Sequence, residues 1–171
     1  MLRWIINKRL DAEEDKLGES MDYLRYVNGK SPAAMLRFAA IVPFANSRKT
    51  LPADAWYAAQ IVALQHADCG PCLQIGVSLA RKDGVDVSII EHILSGNWSA
   101  LPPQLTTICQ FTKDAVADKF ASDELRQQII DQYGEKGLIE LAFAIAAAAI
   151  PPTVKRVLGF SRSCSAVEIR T

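Results

Sequence analysis

The sequence predicts an all-α domain, and three observations support this prediction. Apolar residues recur at the three- and four-residue spacing of a helix face, as Trp56, Ala59 and Val62 do. No Asn-Gly or Asp-Gly turn joins two alternating apolar runs, so the usual hairpin signals are missing, and Asp83-Gly84 is better interpreted as a helix end. The length of 171 residues suits a single domain with a real core.

Helix starts in the first half of the chain are marked by a capping residue followed by proline. Ser31-Pro32 and Thr50-Leu51-Pro52 both have this pattern, which satisfies free N–H groups and places proline in the first turn. We therefore expect helices over 31–43 and 50–67. A third helix is expected over 73–84, where the apolar face continues.

The second half of the chain contains five more predicted helical segments. Pro102-Pro103 and the capping residue Ser122 mark two of the starts. The segment 135–150 is rich in alanine, so neighbouring backbones can approach it closely. This suits a central helix or one that faces another subunit. The expected segments are 88–94, 103–120, 122–133, 135–150 and 152–158.

These segments divide the chain into three parts. We expect an N-terminal helical arm over 1–30, a helical domain over 31–158 and a C-terminal tail over 159–171. The apolar run 138–150 has 13 residues and ends at two prolines, which is too short to span a bilayer and predicts a buried helix. Glu140 lies inside this run, either in its solvated first turns or paired across a subunit interface, and we prefer the interface.

Composition and charge disfavour several classes of partner. Lys plus Arg equals Asp plus Glu at 19 each, so no overall field attracts nucleic acid or a membrane surface. A hydrophobic fraction of 50% with 22% charged residues argues against disorder and favours surface buried in an oligomer. Four cysteines without a secretory signal or a dense disulfide framework indicate a reducing compartment, so a cytoplasmic location is expected.

The turn Cys69-Gly70-Pro71-Cys72 is a candidate redox centre. Two thiols three positions apart face one another if a helix begins there, close enough for a reversible disulfide. Gly-Pro suits a helix start, and the N–H groups and dipole at that end favour a thiolate. The same spacing also serves metal sites and buried structural pairs, so these alternatives stay open.

The order of segments around this turn resembles the AhpD-like, carboxymuconolactone decarboxylase superfamily. In that family a helix leads into a Cys-x-x-Cys turn, followed by a helix ending in Lys/Arg-x-Gly, a short acidic helix and a longer helix. The resemblance covers roughly residues 30 to 158. The matching parts are Pro52–Ala67, Cys69–Cys72, Leu73–Gly84 with Arg81-Lys82-Asp83-Gly84, Ser88–Leu94, Pro103–Phe120 and the lead-in Tyr133–Leu141 to the last core helix.

This resemblance implies a helical fold assembled as homotrimers or homohexamers. For members with both cysteines it also implies thiol-dependent reduction of hydroperoxides, whereas members that act as lactone decarboxylases generally lack the pair. Carried over, Cys72 attacks the peroxide, Cys69 resolves the sulfenic acid into a disulfide, and a thiol donor protein reduces it again. Helix electrostatics instead favour the thiolate of Cys69, which is nearer the helix start, so the choice of nucleophile stays open.

The chain departs from the family at two positions. Peroxidase members carry a glutamate twelve residues before the first cysteine and a histidine four after the second, where Tyr57 and Gly76 stand here. His66 could replace the histidine as proton acceptor, or could bind a carbonyl group or solvent at its helix end. Tyr57 could hold a water near the thiols or pack in the core. Asp68 is interpreted as a cap of the helix that carries Cys72.

The pattern His-x-x-Cys-x-x-Cys over 66–72 also permits a zinc interpretation. It requires a fourth ligand, for which His92 or Cys109 is available, and proline interrupts the helical register between the ligands. We therefore predict neither a metal nor a bound cofactor. Cys109 is expected to be an ordinary buried thiol, and Cys164 an incidental exposed one.

Taken together, the sequence predicts a cytoplasmic, AhpD-like homo-oligomer with a redox pair at Cys69 and Cys72. Its substrate would be a hydroperoxide or a disulfide, and its reductant a thiol donor protein. One alternative is a non-catalytic oligomeric module with a vestigial cysteine pair. Another is lactone or small-acid chemistry on the same scaffold. Neither a nucleic acid nor a membrane is expected as a partner.

Overall fold

The computed structural model describes residues 2–41, 43, 47–117 and 122–160, and all regular structure in these ranges is helical. The predicted all-α class is confirmed. The helices in chain order are α1 (Leu2–Leu17), α2 (Asp22–Lys30), α3 (Pro32–Ala39), α4 (Ala53–His66), α5 (Gly70–Lys82), α6 (Val87–Ser95), α7 (Pro103–Val116) and α8 (Asp123–Val157), with a 3₁₀ turn at Trp98–Ala100.

Helix α4 lies at the centre of the fold. Nine of its 14 residues are buried, and it packs against α5, α6, α7 and α8. A helix surrounded in this way must be apolar on nearly every face, which the alanine-rich sequence of α4 satisfies. Ile61 is fully buried and meets a core that includes Ile90, Leu105 and Ile129. Each such side chain contributes about 1.5–3 kcal/mol on burial.

The N-terminal helices form a second apolar cluster. Leu10, Tyr23 and Met35 come from α1, α2 and α3, and the cluster packs on Ile75 of α5 and Val154 of α8. The segment predicted as an arm therefore docks on the helix that carries Cys72, and α3 shares its cluster.

A kink in α8 confirms a predicted boundary. Gly134 has φ 70° and ψ 172°, outside helical geometry, and separates the amphipathic first part of α8 from its apolar second part. Glycine lacks the Cβ atom that makes this backbone region costly, which explains its use here. The predicted boundary between 122–133 and 135–150 falls on this residue.

The prediction that the apolar helix ends at its two prolines is wrong. Helix α8 continues through Pro151 and Pro152 to Val157. Proline in a helix interior lacks the N–H that would bond to the preceding turn, so other contacts must hold this part of α8, and Pro152 is fully buried. The hydroxyl of Thr153 donates to the Ala149 carbonyl at 2.7 Å and supports this turn.

Because α8 continues past the two prolines, the argument that the apolar run is too short to span a bilayer does not apply. Among the described residues, one helix, α8, has the length and the apolar composition that a membrane span requires. Core helices of soluble proteins meet the same criterion, and 33% of its most apolar window is buried here. This is weak support for a membrane location.

Glu140 binds the backbone of its own chain, which corrects the predicted pairing across a subunit interface. Its carboxylate accepts hydrogen bonds from the N–H groups of Lys49, Thr50 and Leu51 at 2.9–3.1 Å. Desolvation raises the pKa of Glu140, but donation from these N–H groups outweighs it and leaves the pKa below its ordinary value. Glu140 thereby fixes the loop that leads into α4.

Candidate redox site at the start of α5

Cys69 and Cys72 form a disulfide across the first turn of α5. The sulfur atoms lie 2.22 Å apart and the Cα atoms 5.3 Å apart. Cys69 is the N-cap residue, with Pro71 in the first turn, and the N–H group of Leu73 donates to the carbonyl of Cys69 at 2.9 Å. The helix therefore begins at Gly70, earlier than the expected 73, and includes Cys72.

Asp68 precedes this helix in a left-handed conformation, with φ 50°. Aspartate is one of the few residues with a side chain that adopt this region readily, and it reverses the chain between α4 and α5. We expected Asp68 to cap this helix. The N-cap position is occupied by Cys69 instead, and Asp68 lies one residue before it.

The disulfide lies in a small apolar cluster. Cys69 and Cys72 are 5% and 6% exposed and pack with Ala63 and Leu64 of α4 and Ala148 of α8. After reduction, a thiolate here would meet two opposing effects. The apolar walls disfavour charge, whereas the N–H groups at the start of α5 favour it.

His66 is the last residue of α4 and is exposed. Within the described part of the chain, its imidazole forms no hydrogen bond or ion pair. It therefore stays a candidate proton acceptor three residues before Cys69, open to solvent and unengaged by neighbouring side chains.

Tyr57 points away from the cysteines. Its hydroxyl donates to Oδ2 of Asp83 at 2.9 Å, and Nη2 of Arg48 lies 3.5 Å from the same oxygen. Burial raises the pKa of Tyr57, and the hydrogen bond to Asp83 raises it further. Asp83 follows α5, eleven residues after Cys72. At 1.5 Å per residue this is about 16 Å. We therefore give Tyr57 no part in thiol chemistry.

Gly76 permits a close approach of α4 and α5. A Cβ atom at this position would lie 2.8 Å from Cδ1 of Leu64. Gly76 stands where the AhpD-like family has its histidine, and its small size allows the two helices to pack closely. A larger side chain at this position would displace Leu64.

Arg156 is a residue near the site that sequence reasoning missed. Its Nη2 donates to the carbonyl of Ala67 at 2.5 Å, at the end of α4 and two residues before Cys69. The last turn of α8 thus holds the backbone that leads into the disulfide. The only sequence signal for this contact was that Arg156 is a basic residue in the last turn of a helix. The sequence predicted that turn as a separate helix over 152–158.

The zinc interpretation finds no ligand set in the described ranges. No three His, Cys, Asp or Glu side chains there lie close enough to hold a metal ion. Cys109 is a free thiol in the main core, in a different cluster from the disulfide, and burial raises its pKa to about 12. Cys164 lies outside the described residues.

Comparison of the chain with protein-family models, with curated proteins and with solved structures gave no significant match. The AhpD-like resemblance therefore depends on the motifs and spacing of the sequence alone.

Proposed function

We propose that the chain is a thiol–disulfide oxidoreductase that reduces hydroperoxides with the pair Cys69 and Cys72. The observation that supports this most directly is the disulfide across the first turn of α5. Its Cα separation of 5.3 Å lies in the ordinary range for disulfides, so the dithiol and disulfide forms can share one backbone arrangement. The sulfur atoms supply the chemistry, and the proposal includes no bound cofactor.

The proposed cycle has three steps. The thiolate of Cys72 attacks the terminal oxygen of the hydroperoxide, the O–O bond breaks, and the alkoxide takes a proton to leave as an alcohol. Cys69 then loses its thiol proton and attacks the sulfur of the Cys72 sulfenic acid. The S–S bond forms, the S–O bond breaks, and the leaving hydroxide takes up that proton as water. A donor dithiol reduces the disulfide by exchange and is itself oxidised. His66 is the proposed acceptor for the Cys72 proton.

A structural disulfide is the second candidate function, favoured by burial. Both sulfur-bearing residues are at most 6% exposed, and apolar side chains surround them. In this case the pair stabilises the α4–α5 turn of a non-catalytic module and does not turn over.

The proposal includes a homo-oligomer, supported by the outer face of α8. Ile139 and Val157 are 52% and 80% exposed. They lie 18 residues apart, which is five helical turns, so both point to the same side. Phe143, 40% exposed, lies one turn from Ile139 on that side. A trimer or hexamer would bury these residues. The cytoplasmic location stays a prediction.

Mass spectrometry of the reduced protein separates the two functions. With one equivalent of hydroperoxide we expect rapid loss of about two daltons, which corresponds to one disulfide. Cys72→Ser should abolish this loss, and Cys69→Ser should accumulate a sulfenic acid that dimedone traps. Repeated peroxide consumption with a dithiol reductant supports catalysis. A dithiol that millimolar peroxide leaves unchanged identifies the pair as structural.

A further inference from the structure

A cavity of about 460 Å³ lies where the N-terminal helices meet the turn between the cysteines and the end of α8. Its volume falls within the range of about 300–1,000 Å³ typical of small-molecule sites. Three parts of the chain that are distant in sequence form its walls. The lining residues are Glu19, Ser20, Asp22, Tyr23, Pro71, Lys155, Gly159 and Phe160.

Lys155 is the unusual member of this lining. The residue is only 6% exposed, and its ammonium group lies 5.0 Å from the centre of the Tyr23 ring. No residue in the described ranges accepts a hydrogen bond from this ammonium group or forms an ion pair with it. Lysine is rarely buried without a partner, because desolvation of its charge is costly. Lys155 therefore provides an unused cationic donor in the cavity wall.

Neither of the described carboxylates of the lining forms a hydrogen bond or an ion pair with Lys155. Asp22 forms an ion pair with Arg25 at 3.1 Å. Glu19 acts on Lys155 through its charge: desolvation lowers the pKa of Lys155, and the charge of Glu19 partly opposes this. A ligand anion close to the ammonium would gain a charge-assisted hydrogen bond in a poorly solvated place.

We propose that this cavity binds the carboxylate of an apolar organic acid, with Lys155 as its counter-ion and Tyr23, Phe160 and Pro71 as its walls. Pro71 lies between the two cysteines in the sequence, so the bound acid would contact the turn that carries the disulfide. The substrate class is then a hydroperoxide that carries a carboxylate, an extension that rests on the function proposed above.

Binding is tested by calorimetry on the oxidised protein, so that no turnover is needed. The probes are 4-phenylbutyrate and the matched neutral alcohol 4-phenylbutan-1-ol. We expect wild type to bind the acid saturably and more tightly than the alcohol. The ratio of the two affinities should fall at least tenfold in Lys155→Met and should be partly retained in Lys155→Arg. Lys136→Met, at an exposed position of the same helix, is the matched control and should behave as wild type.

A second variant keeps the binding test valid even if the replacements of Lys155 disturb the fold. Ser20 is exposed and lines the cavity, so Ser20→Trp should fill the space with an indole ring and should block the acid. Absence of saturable binding by wild type, or an unchanged preference in Lys155→Met, overturns the proposal.

The substrate assignment is tested with cumene hydroperoxide and its para-carboxylate. The ratio of kcat/KM for the acid over the neutral peroxide should fall at least fivefold in Lys155→Met and stay unchanged in Lys136→Met. Acid binding without peroxide consumption upholds the cavity and overturns the peroxidase proposal. Consumption with the same ratio in both variants upholds the peroxidase and overturns the substrate assignment.

Discussion

The guanidinium of Arg156 and the carbonyl of Ala67 are joined by a hydrogen bond of 2.5 Å between residues 89 positions apart. Ala67 is the C-cap residue of α4, and Cys69, the N-cap residue of α5, follows two residues later. The bond therefore connects the far end of α8 to the backbone that sets the position of the disulfide. Since the carbonyls at a helix end lack partners within the helix, Arg156 supplies one that water would otherwise provide.

Replacement of Arg156 should loosen this turn. Arg156→Gln removes a hydrogen bond worth about 1 kcal/mol, which corresponds to about fivefold more frequent local opening. We expect reduction of the disulfide by a phosphine to accelerate by a similar factor in stopped-flow measurements. Arg126→Gln is the control, because Arg126 pairs with Asp123 on the surface at the other end of α8. Equal acceleration in both variants would contradict the link.

Glu140 should make stability depend on pH. Glu140→Gln removes the negative charge of a carboxylate that accepts hydrogen bonds from three backbone N–H groups. We expect a loss of about 1–2 kcal/mol in the free energy of unfolding at pH 7. Because the folded pKa lies below the ordinary value of 4.5, this contribution is complete above that value and disappears as the pH falls through the folded pKa.

Urea denaturation of wild type and Glu140→Gln at pH 7 and at pH 3 checks this sign. The two curves should approach each other at the lower pH. Glu135→Gln, at an exposed position of the same helix, should change stability little at either pH. A difference between wild type and Glu140→Gln that grows on acidification would refute the assignment.

Two glycines form a matched pair with opposite expected effects. Gly134→Ala forces a side chain into a backbone region that only glycine adopts readily, at a cost of about 1–3 kcal/mol. Gly29 lies inside α2 with open space around its Cα, so Gly29→Ala should stabilise the protein by about 0.5–1 kcal/mol. Chemical denaturation measures both. A stabilising Gly134→Ala would mean that α8 is straight at this point.

The exposed face of α8 predicts the behaviour of the protein in solution. Wild type should sediment as an oligomer, and Ile139→Glu should shift it to monomers, because a carboxylate would be buried without a partner. Glu91→Lys, at an exposed position on α6, should leave the assembly unchanged. Analytical ultracentrifugation measures both variants, and a monomeric wild type would exclude the proposed assembly.

Local signals predicted most of the helices, because their information lies within a few residues. Gly134 is an example, since a glycine between two helical patterns is sufficient to indicate a break. The prolines of α8 show the limit of this reasoning. Local chemistry disfavours a helix there, but burial of Pro152 and the hydroxyl of Thr153 compensate, and burial depends on the rest of the chain.

The contacts around the site depended on long-range packing and could not be predicted. Glu140 reaches backbone groups about 90 positions earlier in the sequence, and a backbone N–H group leaves no trace in residue identity. Tyr57 stands where the family has an acid, but its direction follows from Asp83 at the opposite end of α5. The cysteine pair was recognisable because both sulfur atoms belong to one turn.

The close contact of Gly76 with Leu64 has a consequence for protein engineering. Installing the family's proton relay in this scaffold requires several coordinated replacements. A histidine at 76 would collide with Leu64, and a glutamate at 57 would give up the hydrogen bond to Asp83 and set two carboxylates side by side. A route that passes through single replacements therefore meets a loss of stability before any gain in activity. Compensating changes at Leu64 and Asp83 would have to come first.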